Sequence, residues 1–203
     1  MAHHVGYLSS DILQIYHEVD TQTAQIAKST GLHCPPHCGQ CCHSPKIEIS
    51  VLEALPLALD IYLTHDENKV MDKIEAQGNN PICVIFDPDP ENLDNGRCSR
   101  YAMRPLICRL FGYTARKNKY DELEFSGCQV HKAQENAAYQ RAVFALENGF
   151  PFPIGQEFCM QIASLNPQLG HRILPINQAI AEALEFLYWK HPRQIPKNKK
   201  HAS

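Results

Sequence analysis

Apolar residues recur along this chain mostly at helical spacing, and they predict a mainly α fold. Ile12, Tyr16, Val19, Thr23 and Ile26 form one stripe of a helix from Asp11 to about Ser29, with Ser10 as its cap and Gly31 as its stop. Ser50-Val51-Leu52-Glu53 is a capping box that opens a second helix toward Leu63. A third is expected from His131 to Asn148, with Tyr139, Ala142, Val143 and Leu146 on one face, and a fourth from Gln156 to Leu165. The clearest stripe is Ile176, Ile180, Ala183, Leu184 and Leu187, in a helix from Ile176 to His191 that Pro192 ends.

Between these stripes the pattern changes. Pro81-Ile82-Cys83-Val84-Ile85-Phe86 and Asn95-Gly96-Arg97-Cys98 read as two short strands joined around Asn95-Gly96, which would bring Cys83 and Cys98 near each other. Ser99 can cap a short helix running through Cys108, with Pro105 marking a kink or a late start. The expected architecture is a single domain over residues 1–192. Its helices pack around a Cys-rich core at about 31–131 with one small two-stranded element, and residues 193–203 form a basic, disordered tail.

Composition supports a folded chain and removes several function classes. The chain has 203 residues, 44% hydrophobic and 20% charged, which is ordinary for a globular protein. Its longest apolar run, Ala54 to Leu59, is far below the ~18 residues of a membrane span. No basic start followed by a long apolar stretch opens the sequence, so a cytoplasmic location is expected. Net charge is −3, but Lys190 to Ser203 carries five of the 19 Lys and Arg and no acid, leaving 14 bases against 22 acids elsewhere. Such a body lacks the basic face of a nucleic-acid binder, and neither a nucleic acid nor a membrane is expected as a partner.

The nine cysteines carry the chemistry. Cys34, Cys38, Cys41 and Cys42 fall in one knot, and Pro35, Pro36 and Gly39 hinder a helix through it, so a turn is expected. In a reducing compartment a knot of thiols points to a metal before it points to disulfides or reactive thiols. The adjacent Cys41 and Cys42 would strain a single tetrahedral zinc site. An iron–sulfur cluster can take each thiolate on a different iron, and two separate zinc sites would relax the strain as well. Iron–sulfur is preferred over zinc. His33, His37 and His43 flank the knot and are expected outside the ligand set.

Competing chemistries lack support. Cys34-x-x-x-Cys38-x-x-Cys41 has the spacing of radical S-adenosylmethionine enzymes, but repeated strand–helix units are missing and Gln40 precedes the third Cys. The acidic stretch from Asp87 to Asp94 lacks the Gly and Glu of a calcium loop. No nucleotide-binding, serine-hydrolase or zincin motif appears.

The whole pattern, a Cys knot ending in Cys41-Cys42, then Gly96-Arg97-Cys98, then Arg104-Pro105-Leu106-Ile107-Cys108-Arg109, resembles the Cys-x-x-Cys-x-x-Cys-Cys family of zinc- or iron-chelating proteins over residues 31–131. Three residues separate Cys34 from Cys38, where the family usually has two. The resemblance implies metal ligation by Cys34, Cys38, Cys41, Cys42, Cys83, Cys98, Cys108 and Cys128. The bound group would be zinc or a [4Fe–4S] cluster. Arg104 and Arg109 can offset the negative charge of thiolates gathered on such a centre. Cys159 falls outside the pattern and is expected to be a buried thiol. Flagellin lysine N-methylases are similar in carrying a related cysteine cluster. The alternatives to simple chelation are therefore an iron–sulfur enzyme of that kind or an interaction module structured by zinc.

Overall fold

The structure is a computed structural model that describes residues 2–36, 38–93 and 95–190, with side chains described from Gly6 onward. The expected end of the last helix at Pro192 and the basic tail at 193–203 lie outside the described residues. In chain order the elements begin with α1 (Ala2–Thr30), α2 (Gln40–His43), β1 (Glu48–Ser50), α3 (Val51–Leu63) and α4 (Glu67–Gln77). The hairpin β2 (Phe86–Pro88) and β3 (Gly96–Cys98) follows, then a 3-10 turn (Tyr101–Met103), α5 (Leu106–Leu110) and the hairpin β4 (Thr114–Lys117) and β5 (Leu123–Ser126). The chain continues through α6 (Gln129–Gln134), α7 (Asn136–Glu147), α8 (Gly155–Leu165), α9 (Pro167–Gly170), β6 (Ile173–Pro175) and α10 (Ile176–Lys190). The fold is mainly α with small antiparallel strand pairs.

Helix α3 is the centre of the core. Its sequence is apolar almost all round, and Val51, Leu52, Leu55, Leu57, Ala58 and Ile61 are buried, as expected for a helix covered on every side. Full burial of each Leu or Ile here contributes about 1.5–3 kcal/mol. The Ser50–Glu53 capping box forms as its sequence predicts: the Ser50 hydroxyl accepts from the Glu53 amide at 3.1 Å, and Glu53 Oε2 accepts from the Ser50 amide at 2.9 Å. Strand β1 runs directly into α3 and pairs with β6, which runs directly into α10. That short ladder brings the starts of both helices together, and α3 and α10 pack more extensively than any other two elements.

Several boundaries differ from the sequence expectation. Helix α1 begins before Ser10, because Leu8 extends its buried stripe by one more turn and Ser10 sits within the helix. Gly31 ends it at φ +71, as expected. The expected helix over 131–148 is two helices, α6 and α7, separated at Glu135. Among the described residues, three strand pairs form rather than one. Phe86 to Pro88 pairs with Gly96 to Cys98 as expected, but Asn95-Gly96 is not the turn. The Asp89 amide donates to the Asn95 carbonyl at 2.8 Å and closes a longer loop, and Gly96 belongs to β3. Pro105 acts as a late start, standing at the N-cap of α5.

Glu53 is 7% exposed, and burial raises its carboxyl above the ordinary range against the opposing pull of Ser50. A raised folded pKa binds a proton more tightly than the unfolded chain does, so this group's contribution is fullest at low pH and is lost as pH rises through the folded value. In thermal melts, the stability of the native protein relative to Glu53→Gln should therefore rise between pH 7 and pH 5. A difference that stays flat over that window would show an unshifted carboxyl.

Candidate metal centre

Five separate stretches of chain converge on one space that Leu57 of α3 and Ile176 of α10 also border. The loop after α1 carries Cys34 and Cys38, and α2 carries Cys41 and Cys42 on one helical turn. The knot is thus a loop that ends in a short helix, not a turn throughout. Adjacent residues on a helix diverge by ~100° rather than by the ~180° of a strand, which lets both thiols border the same space. The Cys83 amide donates to the Cys42 carbonyl at 2.9 Å and joins the knot to the next stretch. Strand pairing then sets Cys98 opposite Phe86, and α5 and α6 bring Cys108 and Cys128.

Phe86 is the spacer of this arrangement. A Cβ on Gly39 would come within 2.4 Å of its ring, and a Cβ on Gly96 within 2.7 Å of the ring and 2.3 Å of the Asp87 carbonyl. Both positions therefore demand glycine, and the ring wedges the knot against the hairpin. His43 meets the same ring edge-on at 4.6 Å.

Distant residues hold the cysteine-bearing loops. Asn177, at the start of α10, accepts from the Val84 amide and donates to the Ile82 carbonyl, each at 2.9 Å, so it grips both sides of Cys83. Lys73 donates to the Val84 carbonyl at 2.6 Å. Arg100, two residues after Cys98, binds Asp60 of α3 at 2.6 Å and also pairs with Asp66. None of these was legible in the sequence, because each acts across 11 to 95 residues of chain on a backbone or a partner that no local spacing marks.

The result is one cavity of about 460 Å³ lined by all eight cysteines of the motif: Cys34, Cys38, Cys41, Cys42, Cys83, Cys98, Cys108 and Cys128. Arg104, Arg109, His33, Tyr113 and His131 also border it. All nine cysteines are free thiols. Cys159 lies outside the cavity on α8 and is exposed, which corrects its expected burial: it falls on the solvent side of α8, whose buried side chains are Phe158 and Ile162. His43 does not border the cavity, and His37 lies outside the described residues.

The two arginines differ. Arg109 is 6% exposed, and its guanidinium bonds Asp20 and the Ala102 carbonyl, donates to the Arg104 carbonyl at 2.8 Å and stacks on the Tyr16 ring at 4.5 Å. Its charge is largely answered by Asp20. Arg104 lies over the Tyr101 ring at 3.5 Å and reaches Asp20 only at 3.9 Å, and its charge favours the thiolate forms of Cys41, Cys98 and Cys108.

Cys41 is the electrostatic junction. Its thiol falls to about 7, chiefly through a hydrogen bond from Cys42, with burial opposing and Arg104 assisting. Its charge in turn raises Cys34, Cys42, Cys83, Cys98 and Cys108. Burial is the main cause that pushes Cys83 up to about 12 and raises Cys98 and Cys108. Cys34, at the exposed end, is also pushed up to about 12 by desolvation of its thiol and by Cys38. A donor set made of soft sulfur, with cations beside it, fits zinc or iron and disfavours magnesium or calcium. Among the described residues, no three Cys, His, Asp or Glu side chains are already drawn in around a single ion. No described helix is long and apolar enough to cross a membrane.

Residues 33–140, more than half of the chain, match the family model described as "CxxCxxCC: Putative zinc- or iron-chelating domain". No curated protein and no solved structure matches.

If Asn177 sets the position of Cys83, Asn177→Ala should lower stability by about 1–3 kcal/mol, a fall of several degrees in Tm, and should weaken metal retention. Asn177→Asp, which keeps the acceptor for Val84, should fall between the two. Unchanged melting and metal content in Asn177→Ala would remove this residue from the support of the site.

Proposed function

Because this chain belongs to the CxxCxxCC family of zinc- or iron-chelating domains, we propose that it is a metal-chelating protein that binds metal through its eight cavity-lining cysteines, with a [4Fe–4S] cluster preferred over isolated zinc ions. The observation that carries this reading is the single cavity of about 460 Å³ bordered by every one of those cysteines. A closed tetrahedral zinc site has metal–sulfur bonds of about 2.3 Å and needs no open volume at its centre. A cluster is a body several atoms across, held by thiolates at its corners, so it needs both room and ligands that approach from several directions.

Cys41, Cys42, Cys83, Cys98 and Cys108 influence one another electrostatically, which provides more than the four thiolates such a cluster takes. Adjacent Cys41 and Cys42 can then serve different irons. Arg104 would offset part of the negative charge, and Arg109 would reinforce it from behind. When bound, a cluster of this kind supplies a one-electron redox couple. Nine free thiols suit a reducing compartment, and a cytoplasmic location follows in this reading.

Anaerobic purification followed by absorption spectroscopy and analysis for iron, zinc and acid-labile sulfide tests the proposal. The expected result is a brown protein with broad visible absorption and labile sulfide. Cys41→Ser should lose most of the colour and iron, whereas Cys159→Ser should keep both. A colourless protein that carries only stoichiometric zinc would overturn the iron–sulfur assignment and leave zinc chelation in its place.

A further inference from the structure

His131 is 1% exposed, and neither of its ring nitrogens makes a hydrogen bond of full geometry; the Gly112 backbone lies near enough to engage one of them. A neutral imidazole offers one donor and one acceptor, so even with Gly112 engaged the second ring nitrogen is left unmet, and an unmet polar group in the interior is costly enough that folded proteins rarely keep one. The ring borders the thiol cavity, so the missing partner has a place to be.

Local structure directs this histidine and Cys128 to the same spot. Cys128 caps α6, its sulfur accepting from the Val130 amide at 3.4 Å, and His131 stands in the first turn of that helix. The spacing Cys128-x-x-His131 puts the two side chains on one face. Gly112, at φ +88, closes in from the other side: a Cβ there would lie 2.9 Å from His131 Nδ1 and 3.1 Å from the Cys128 Cβ. Tyr113 packs edge-on against His131 at 5.4 Å. The same tyrosine's hydroxyl donates to the Leu32 carbonyl at 3.2 Å, beside the loop that carries Cys34.

We propose that His131 is a metal ligand and that, with Cys34, Cys38 and Cys128, it forms a three-thiolate, one-imidazole site for a zinc-like divalent ion at this end of the cavity. The proposal rests on the chelation reading above and adds to it a second kind of site. Cys34 and Cys38 share one turn, the Cys38 amide donating to the Pro35 carbonyl at 3.2 Å, and Tyr113 links that loop to His131, whereas Cys42, Cys83 and Cys98 are joined through the Cys83 amide to Cys42 carbonyl bond and the pairing of Phe86 with Cys98. The thiols thus fall into two groups that meet at Cys41. Arg104 acts on the inner group. At the outer end, a neutral imidazole in place of a fourth thiolate removes one negative charge from the site, which lowers the cost of burying it. Binding draws the four ligands inward, since among the described residues they do not yet surround one ion.

The test uses the full-length apoprotein titrated with Zn²⁺ and, separately, with Co²⁺. Relative to the native protein, His131→Gln should bind about one divalent ion fewer, or bind it at least about tenfold more weakly. His131→Cys should restore that ion, and its Co²⁺ form should show stronger sulfur-to-metal charge-transfer absorption as the site passes from three thiolates to four. A packing role alone predicts no rescue by cysteine. Wild-type stoichiometry and affinity in His131→Gln would overturn the proposal, as would a folded His131→Cys that fails to regain the ion. A native protein that binds no metal at all would overturn the chelation reading and this site with it.

Discussion

To hold a metal, buried thiols must give up protons in surroundings that resist charge, and much of this structure answers that conflict. Desolvation raises Cys83, Cys98 and Cys108, and each thiolate formed makes the next harder to form. Cys41 escapes because Cys42 donates a hydrogen bond to it and Arg104 stands nearby. One thiol is thereby poised near neutral pH at the point where the two groups of cysteines meet. Metal charge can then compensate the remaining proton losses as ligands are added.

The cations that ease this conflict are themselves supported by helices that contain no cysteine. Arg109 rests on Tyr16 of α1 and pairs with Asp20, one turn further along the same helix. The Tyr16 hydroxyl donates to the Glu53 carbonyl at 2.7 Å, in the capping box of α3. A continuous line of contacts thus runs from the most buried helix, through α1, to the wall of the cavity. Asp20 neutralises Arg109 where it is most buried, which keeps an unpaired guanidinium out of the core. Arg104 keeps its longer distance to Asp20 and acts on Cys41, Cys98 and Cys108.

Legibility in the sequence followed the range of the interaction. The Ser50–Glu53 box, the Gly31 stop and the stripe of α10 are local patterns, and each appears in the fold. The pairing of the Cys83 and Cys98 segments was also readable, although the long loop before Asn95 replaced a tight turn. Strands β1 and β6 have three residues each and lie 122 or more residues apart, too short to show alternation and too distant for a turn to mark them. The break at Glu135 carries no Pro or Gly. His131 was not legible as part of the site, because it stands at the start of the helix expected over 131–148 and nothing in its local spacing separates it from an ordinary helical residue.

That break at Glu135 is informative in its own right. A continuous helix from Gln129 would have to satisfy two demands with one axis. Ala138, Ala142 and Leu146 must pack with Ile26 of α1 in the smaller hydrophobic cluster, while Cys128 and His131 must border the cavity. Glu135 leaves helical geometry at φ −120 and ψ 38, yet its amide still bonds the His131 carbonyl at 2.9 Å and its own carbonyl accepts from the Tyr139 amide at 2.8 Å. The backbone hydrogen bonding therefore survives while the direction changes. Separating the axes lets α7 follow α1 while α6 follows the thiols, so the outer end of the cavity can close without disturbing the packing behind it.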